Sequence, residues 1–521
     1  AVPGWEVDRA ARRVIERAWL SQHSSRLDLE GTWVSDTQFL YGQQYQNWDR
    51  QFSKIVGYAP PSKNTARFAW NVCLRVIEDM KSLLLQNPPD INVIPMNGDF
   101  MSVQAARHGD DVLRWMHAHE HWDVLRKKLM AWLCPTGNAF LWYTWDPNRG
   151  AVLDGEQFGA PGQAIRTGKA FVDAIAPLQV YVSPHATELE ASPYVMRRYN
   201  LSRQAAIKAF ANGDQRIIEA IMTCPSISSD QVYWETALLD TASSGRYRSS
   251  AYGGVQKNEP DDEDGFIPCL EYRCCPEGPD GEYPAGFVAT AIGSAESIHA
   301  VIDVGDNPYV YEDEGELVGG HGCTHFGAIR RPGAMWFDSW LKHIRSPQTE
   351  LNRRQNQQVE HANKVASGMF IYPTGFSTFK HSLSNDPSRI YEGPAHTSWL
   401  PQWVPPPQMP NYVVEAGRAA LSIFSYIVSP FGQTDQKGTS GFHYAAMLEE
   451  KRMKAGPLVD EWEGSWENHA NLELRMFQAH QHIPMAVNVP MSPAGRGSFQ
   501  ARTGRWRQEW YSAADIEGDI L

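Results

Sequence analysis

The chain lacks any stretch approaching the roughly 18 consecutive apolar residues that a membrane span requires. Its most apolar run, AALSIFSYIV from Ala419 to Val428, is too short and follows Arg418. The opening residues AVPGWEVDRA carry no apolar segment of the secretory kind, so a cytosolic origin is expected. Cysteine is scarce: the seven present are an odd number spread over 521 residues, which argues against a disulfide framework and predicts reduced thiols. Also missing are a Gly-rich phosphate loop, a serine-nucleophile elbow, an HExxH helix and an EF-hand loop. Those absences weigh against an enzyme and predict no cofactor. An excess of basic residues is missing too, since 47 Lys and Arg face 60 Asp and Glu for a net charge of −13.

That charge is unevenly placed. Between Pro225 and Arg330 there are 19 Asp and Glu against 5 Lys and Arg, a net of −14, so the remainder of the chain is close to neutral. An acidic block of this kind is poor material for gripping phosphates and good material for docking a basic protein surface. At 42% apolar and 21% charged residues the composition is that of ordinary globular protein, and the length suggests roughly three domains.

Periodicity separates the chain into helical and extended tracts. Val7, Ala10, Val14, Ala18 and Trp19 recur at helical spacing from Trp5 to Leu20. A stripe of Phe68, Val72, Val76, Met80, Leu83 and Leu84, with Asn64 as a possible cap, ends at NPPD. Helices are expected near 102–120 and 122–134, followed by the strand GNAFLWYTWD and its partner FVDAIAPLQVYV. From Leu201 a helical pattern returns until Pro225. Short strands such as QVYWETALL, FIPCLEYRC and GFVATAIG fill the acidic block, and helices resume from Met335 to Ala366, from Tyr412 to Val428 and from Phe442 to about His480. The fold class expected is α+β, mainly helical.

Groups that could carry chemistry have ordinary explanations. Cys269, Cys274 and Cys275 precede His321, Cys323 and His325 by about fifty residues, with no zinc-finger spacing, so structural thiols are expected and no metal site is assigned. Carboxylate clusters at Asp261–Asp264 and Glu312–Glu316 lie on Gly- and Pro-flanked loops and are expected to be solvated. His117, His119 and His121 alternate, which on a helix turns them to different faces; surface or interfacial polarity is the expected use. Trp70, Trp115, Trp122, Trp132 and Trp142 are expected to pack in the core.

One helix resists this treatment. SPQTELNRRQNQQVEHANK, residues 346 to 364, is rich in good helix formers yet nearly devoid of apolar residues. Leu351, Gln355, Gln358, Ala362 and Val365 share one face, but only Leu351 and Val359 are sizeable apolar residues before Val365. The whole helix from Met335 to Ala366 carries Lys342, Arg345, Arg353, Arg354 and Lys364 against Asp338, Glu350 and Glu360. A helix so polar is not expected to be held by its own core.

The order of segments resembles the portal proteins of tailed bacteriophages. YGQQYQNWD followed by NTARFAWNVCLRVIEDMKSLLLQNPPDINVIP resembles that family's N-terminal signature, and AWLCPTGNAFLWYTWDPNRG its helix, Gly turn, strand and WD element. APLQVYVSPHATELEASPYVMRRY resembles a further family segment, with Ser183 where Asp is commoner. The polar helix matches the family's Q..LN helix at Gln348, Leu351 and Asn352, with Gln355 or Asn356 near its usual Ser; GTSGFHYAAMLEEK and SAADIEGDI match two later elements.

The resemblance implies a portal-protein fold with wing, stem, clip and crown regions, assembled as a ring, usually of twelve subunits, at one capsid vertex. In such a ring the polar helix is expected to be stabilised by contacts with identical neighbouring chains and not by its own core. On this chain it implies a wing over 1–200, a first stem helix over 201–224, an acidic, strand-rich clip over 225–332 and a second stem helix over 333–366. The wing resumes over 367–455, including a tunnel loop over 429–441, and 456–521 form the crown. The implied function is a channel for genome packaging, retention and ejection that docks terminase and a tail adaptor. Major capsid and scaffolding proteins are further implied partners, the DNA is double-stranded and bound without sequence preference, and no membrane is involved. Assembly would take place in the bacterial host cytoplasm and the final location would be the virion. Channel candidates are Gln433, Thr434, Gln436 and Lys437 in the tunnel loop and Arg353, Arg354, Gln357 and Lys364 on the stem; clip docking candidates are Asp261, Asp262, Glu263 and Asp264. The alternative from another class is a cytosolic metal- or carboxylate-dependent hydrolase using the acidic loops.

Overall fold

The computed structural model describes residues 5–49, 54–57, 67–86, 89, 91–95, 97–146, 150–154, 164–211, 213–225, 266–277, 283–293, 298–313, 316–366, 369–371, 402–404, 411–427, 441–482, 485–490 and 506–516. It mixes helices and sheets, in keeping with the α+β expectation.

The chain opens with one long helix, α1 (Trp5–Leu40), where a shorter helix to Leu20 was expected. Its first half buries Ala11, Ile15, Ala18 and Trp19, spaced to fall on one face, against a five-stranded sheet. Its second half carries Trp33, Val34, Phe39 and Leu40 into neighbouring apolar clusters, which is why the helix does not stop at Leu20. Midway, buried Arg26 lies over the rings of Tyr181 (4.3 Å) and Trp336 (4.6 Å) and donates to the carbonyls of Pro177 and Val180.

After the small hairpin β1 (Gln46–Asp49) and β2 (Lys54–Gly57) come α2 (Val72–Gln86), α3 (Phe100–His119) and α4 (Trp122–Thr136). The helix α2 begins at Val72, so Phe68 and Trp70 precede it and are 57% and 48% exposed, not core residues. Gly137, with φ of 77°, closes α4 and turns the chain into β3 (Asn138–Asp146). A Cβ there would stand 2.5 Å from the backbone of Asp338 and Ser339, so only glycine fits.

Two antiparallel sheets follow. The strand β3 pairs on one side with β6 (Lys169–Ile175) and on the other with β14 (Cys323–Gly327). The hairpin β4 (Val152–Asp154) and β5 (Ala164–Arg166) lies between β3 and β6 in the chain. The larger sheet runs β11–β10–β9–β8–β7, built from β7 (Val180–Val182), β8 (Tyr194–Ser202), β9 (Phe266–Cys274), β10 (Phe287–Gly293) and β11 (Ile298–Asp306). Ladder bonds between β8 and β9 and between β3 and β14 therefore cross the boundary expected at residue 225, and of the acidic segment's described strands only Val310–Asp313 and Glu316–Gly319 form a sheet within the segment alone. QVYWETALL lies outside the described residues. The hairpin β12 (Val310–Asp313) and β13 (Glu316–Gly319) completes this region.

Residues 201–224 are not one helix. Ser202 ends β8 and caps α5 (Arg203–Ala206), a π turn covers Ile207–Ala211, and α6 (Gln215–Thr223) starts afresh from Asp214, whose carboxylate accepts from Arg216 N. Gly213, with φ of 86°, makes the break. The apolar residues of this stretch, among them Ala206 and Ile221, cover the larger sheet through Ile267, Ile292 and Ile302.

The polar stretch belongs to α7 (Trp340–Ala366), which starts five residues later than the expected Met335, after Asp338 pairs with Ile329 and Ser339 Oγ accepts from Lys342 N. It is followed by the pair β15 (Met369–Ile371) and β16 (Gln402–Val404), by α8 (Asn411–Ile427) and by the long α9 (Gly441–His480). The pair β17 (Met485–Pro490) and β18 (Trp506–Tyr511) ends the described chain with a short 3₁₀ turn boxed by Ser512 and Asp515. The largest core gathers residues from α1, α2, α4, β3, β14, α7 and α9, including Ile77, Leu129, Leu141, Phe326, Leu341 and Trp466. No helix among the described residues is long and apolar enough to cross a membrane.

Candidate functional site: a charged helix face seated on an amide ladder

The inward face of α7 is polar and buried. Gln348, Asn352 and Asn356 are 0%, 2% and 6% exposed. An isolated buried amide is costly unless its donors and acceptors are matched. Here they are matched by the segment before α2. Gln348 Oε1 accepts from Cys73 N (3.1 Å) while its Nε2 donates to Trp70 O (2.6 Å). Asn352 Oδ1 accepts from Trp70 N (2.9 Å), and Asn356 grips Phe68 at both its N–H (2.9 Å) and its carbonyl (3.1 Å).

The spacing explains the fit. Four helical residues advance about 6 Å, and two residues of extended chain advance about 6.6 Å, so amides one helical turn apart meet alternate backbone residues. In this way the helix does for residues 68–73 what a neighbouring strand would do. A second row of polar groups closes the network: Asn352 Nδ2 donates to Gln44 Oε1, Gln44 Nε2 to Asn71 Oδ1 (2.9 Å), and Asn71 Nδ2 to Leu40 O (2.7 Å). Tyr45 Oη donates to Phe68 O (3.0 Å) and accepts from Asn356. Burial pushes the Cys73 thiol up to about 12, so it stays protonated and hydrogen-bonds to Asn71 Oδ1 (2.9 Å). Toward its start, α7 is tied to α1 by Arg345, which pairs with Asp36 and donates to Ser35 Oγ (3.1 Å).

The expectation that neighbouring chains support this helix is thus corrected for this face, which is satisfied within the chain itself. A second flank of α7 is covered by α8, whose Gly417 leaves room for Gln358: a Cβ there would stand 2.7 Å from Gln358 Nε2.

The stem candidates lie on the remaining face. At about 100° per residue, Gln357 and Arg354 fall roughly opposite Gln348 and Asn352, while Arg353 lies to the side, about 100° from Asn352. Arg353 is exposed and stands 3.9 Å from Glu350, whereas Arg354 is bound to Glu350 at 2.7 Å and to Gln357 Oε1 at 3.3 Å. Lys364 is in the last turn of α7, but its side chain is outside the described residues. So are Gln433, Thr434, Gln436 and Lys437, and likewise Asp261, Asp262, Glu263 and Asp264.

The residues considered for metal or acid–base chemistry do not converge. Cys275 Sγ meets His321 Nε2 at 3.2 Å, but His325 turns to Asn138 Oδ1 (2.9 Å) and stacks on Phe140, and Cys269 lies in a different apolar cluster. Among the described residues no group of three or more His, Cys, Asp and Glu is placed to hold a metal ion. Of the alternating histidines, His121 adopts φ of 54° between α3 and α4, and His119 stacks on Trp115.

His117 is instead buried, and it belongs to a cluster that spacing alone did not signal. Its Nε2 lies 3.1 Å from Glu473 Oε2, and His469 Nε2 lies 3.3 Å from the other carboxylate oxygen. Burial pushes Glu473 up, but His469 and His117 outweigh it and hold the carboxyl well below its usual range. Burial, followed by the charge of Glu473, drives nearby Glu120 the other way, so it keeps its proton. The amide ladder did have a sequence signal, in amides at positions 348, 352 and 356, all four apart. Compared with protein-family models and with curated proteins, the chain matches none.

Proposed function

We propose that this chain is the subunit of a phage portal ring, a conduit for double-stranded DNA at a capsid vertex. The observation that supports it is a convergence. Three segments that carry the resemblance lie up to about 300 residues apart in sequence: YGQQY through Gln44 and Tyr45, FAWNVC through Phe68, Trp70, Asn71 and Cys73, and the polar helix through Gln348, Asn352 and Asn356. They bond to one another in a single network. Fragments matched by accident would have no reason to share hydrogen bonds.

The arrangement suits a stem helix. A ring that lines a channel needs a helix anchored on one side and presenting charge on the other. The ladder anchors α7, and away from it the helix presents Arg353, Arg354 and Gln357, with Glu350 among them. Contacts of this kind to phosphates are insensitive to sequence and weakened by salt, as a sliding duplex requires. The acidic segment 225–330 would repel DNA and attract a basic motor or adaptor surface, with Asp261, Asp262, Glu263 and Asp264 as its densest charge. Residues 429–441, with Gln433, Thr434, Gln436 and Lys437, would face the channel as the tunnel loop. Energy for translocation would come from a separate terminase.

Negative-stain imaging and native mass measurement test the proposal. Closed rings, of about a dozen subunits, are expected. A monodisperse monomer at every concentration would overturn it.

A further inference from the structure

A cavity of about 580 Å³ opens between α3, the β3–β6 pair and the end of α9, well away from the polar face of α7. Its size falls in the range of small-molecule sites, and it is far too small for a duplex. Trp115 of α3, Trp145 of β3, Phe171 of β6 and Phe477 of α9 make much of its wall aromatic. Two cations stand at its edge, Arg166 at the end of β5 and Lys169 at the start of β6, and among the described residues neither makes an ion pair. Their placement is built in: Gly168, with φ of 74°, packs so closely on Trp145 that a Cβ would stand 2.3 Å from the ring, which His480 also stacks on. The turn from Arg166 to Lys169 is thereby pressed onto the aromatic wall. Deeper in, Glu120 lines the cavity, and its Oε2 is buried with no hydrogen-bond partner. A buried acceptor of this kind is open to a hydrogen bond from whatever occupies the cavity.

We propose that this cavity binds a small, flat aromatic molecule bearing an anionic group, its ring system against Trp115, Trp145 and Phe171, its anion at Arg166 and Lys169, and a polar ring edge at Glu120. Aromatic faces favour a planar partner, and the two cations select the anion. Burial and the hydrogen bond to Glu473 favour the protonated form of Glu120, so its unpartnered Oε2 offers the ring edge an acceptor, not a second negative charge. The proposal uses no residue of the α7 face and stands apart from the portal reading.

Naphthalene-2-sulfonate and its neutral counterpart 2-naphthol, titrated into the full chain by calorimetry, separate the terms. The expected result is one sulfonate site per chain, about tenfold tighter than 2-naphthol. In the double variant Arg166→Gln, Lys169→Gln that preference disappears while 2-naphthol binding is unchanged. These side chains sit at the rim, so the variant is expected to fold, with circular dichroism as the check. Trp115→Leu should weaken both probes. Absence of saturable binding, equal affinity for the two probes, or a preference that survives in the rim variant would each overturn the proposal.

Discussion

Asn352 shows how much a single buried amide carries in this chain. It accepts from Trp70 N, takes a bond from Gln348 Nε2 and donates to Gln44, all in a place that water does not reach. Asn352→Leu keeps the volume and strands these partners. Each stranded buried group costs about 1–3 kcal/mol, so a fall of at least about 2 kcal/mol in stability is expected. The local readout is amide exchange at Trp70, which should accelerate far more than exchange in β9; unchanged exchange there would show that the ladder is not what holds the segment. His325 supplies a pH test. Burial pushes its imidazole down to about 3, while in the unfolded chain it titrates near the ordinary value of 6.5. As pH falls below 6.5 the unfolded chain takes up a proton that the folded one refuses, so stability is lost between these two values, by about 1.4 kcal/mol per pH unit. His325→Gln should flatten the acid side of the thermal-midpoint profile, and an unaltered slope would remove His325 from the account. Asn352's role was legible only in the four-residue spacing it shares with Gln348 and Asn356, and His325's not at all. His325 stood out only as one of several scattered cysteines and histidines, because burial is a property of what packs around a residue and not of its neighbours in the chain.

Whole elements were easier to foresee. The strand NAFLWYTWD, the helices on either side of His121 and the strands FIPCLEYRC and GFVATAIG all occur within a few residues of their expected bounds, since each is fixed by its own periodicity and by turn residues such as Gly137. The segment 201–224 misled because its apolar spacing is helical on both sides of Gly213, where the chain breaks and α6 starts afresh. For α7 the helix itself was legible but its support was not, since that support was expected from neighbouring chains and comes from residues 44 and 68–73 of the same chain. With one face now assigned to the ladder, the two arginines on the other separate. Arg354 is largely engaged by Glu350, and Arg353 is 69% exposed with its carboxylate at the limit of pairing. A phosphate would therefore meet Arg353 first. On the portal reading, Arg353→Gln should lower packaged-DNA yield more than Arg354→Gln, with rings intact in both. The reverse order, or no effect of either, would take this face out of the channel.

At the scale of the molecule, distant parts of the chain close on one another. Arg273 of β9, fully buried, lies between the rings of Trp142 (3.9 Å) and Tyr309 (3.8 Å) and donates to the carbonyls of Tyr143, His321 and Gly322, binding the larger sheet to the smaller. The C-terminal half of α9 is equally committed. Trp462 and Trp466 are buried in the largest core against Phe326, Trp466 also meets Trp122 of α4, and Glu473 is held between His117 and His469. A crown expected over 456–521 would be removable if it merely sat on the remainder; these contacts imply that it is not. Ending the chain at Ala455 would expose Phe326 and Trp122 and leave His117 buried without its carboxylate. Each lost large aromatic side chain alone costs about 3–5 kcal/mol, against a total stability of about 5–15 kcal/mol for a typical domain. The truncated chain is therefore expected to be insoluble or to lose its cooperative thermal transition, whereas Trp510→Ser, at a side chain 52% exposed on β18, should leave both unchanged. A soluble 1–455 chain with a wild-type thermal midpoint would show instead that the C-terminal helix is an appendage and that the core closes without it.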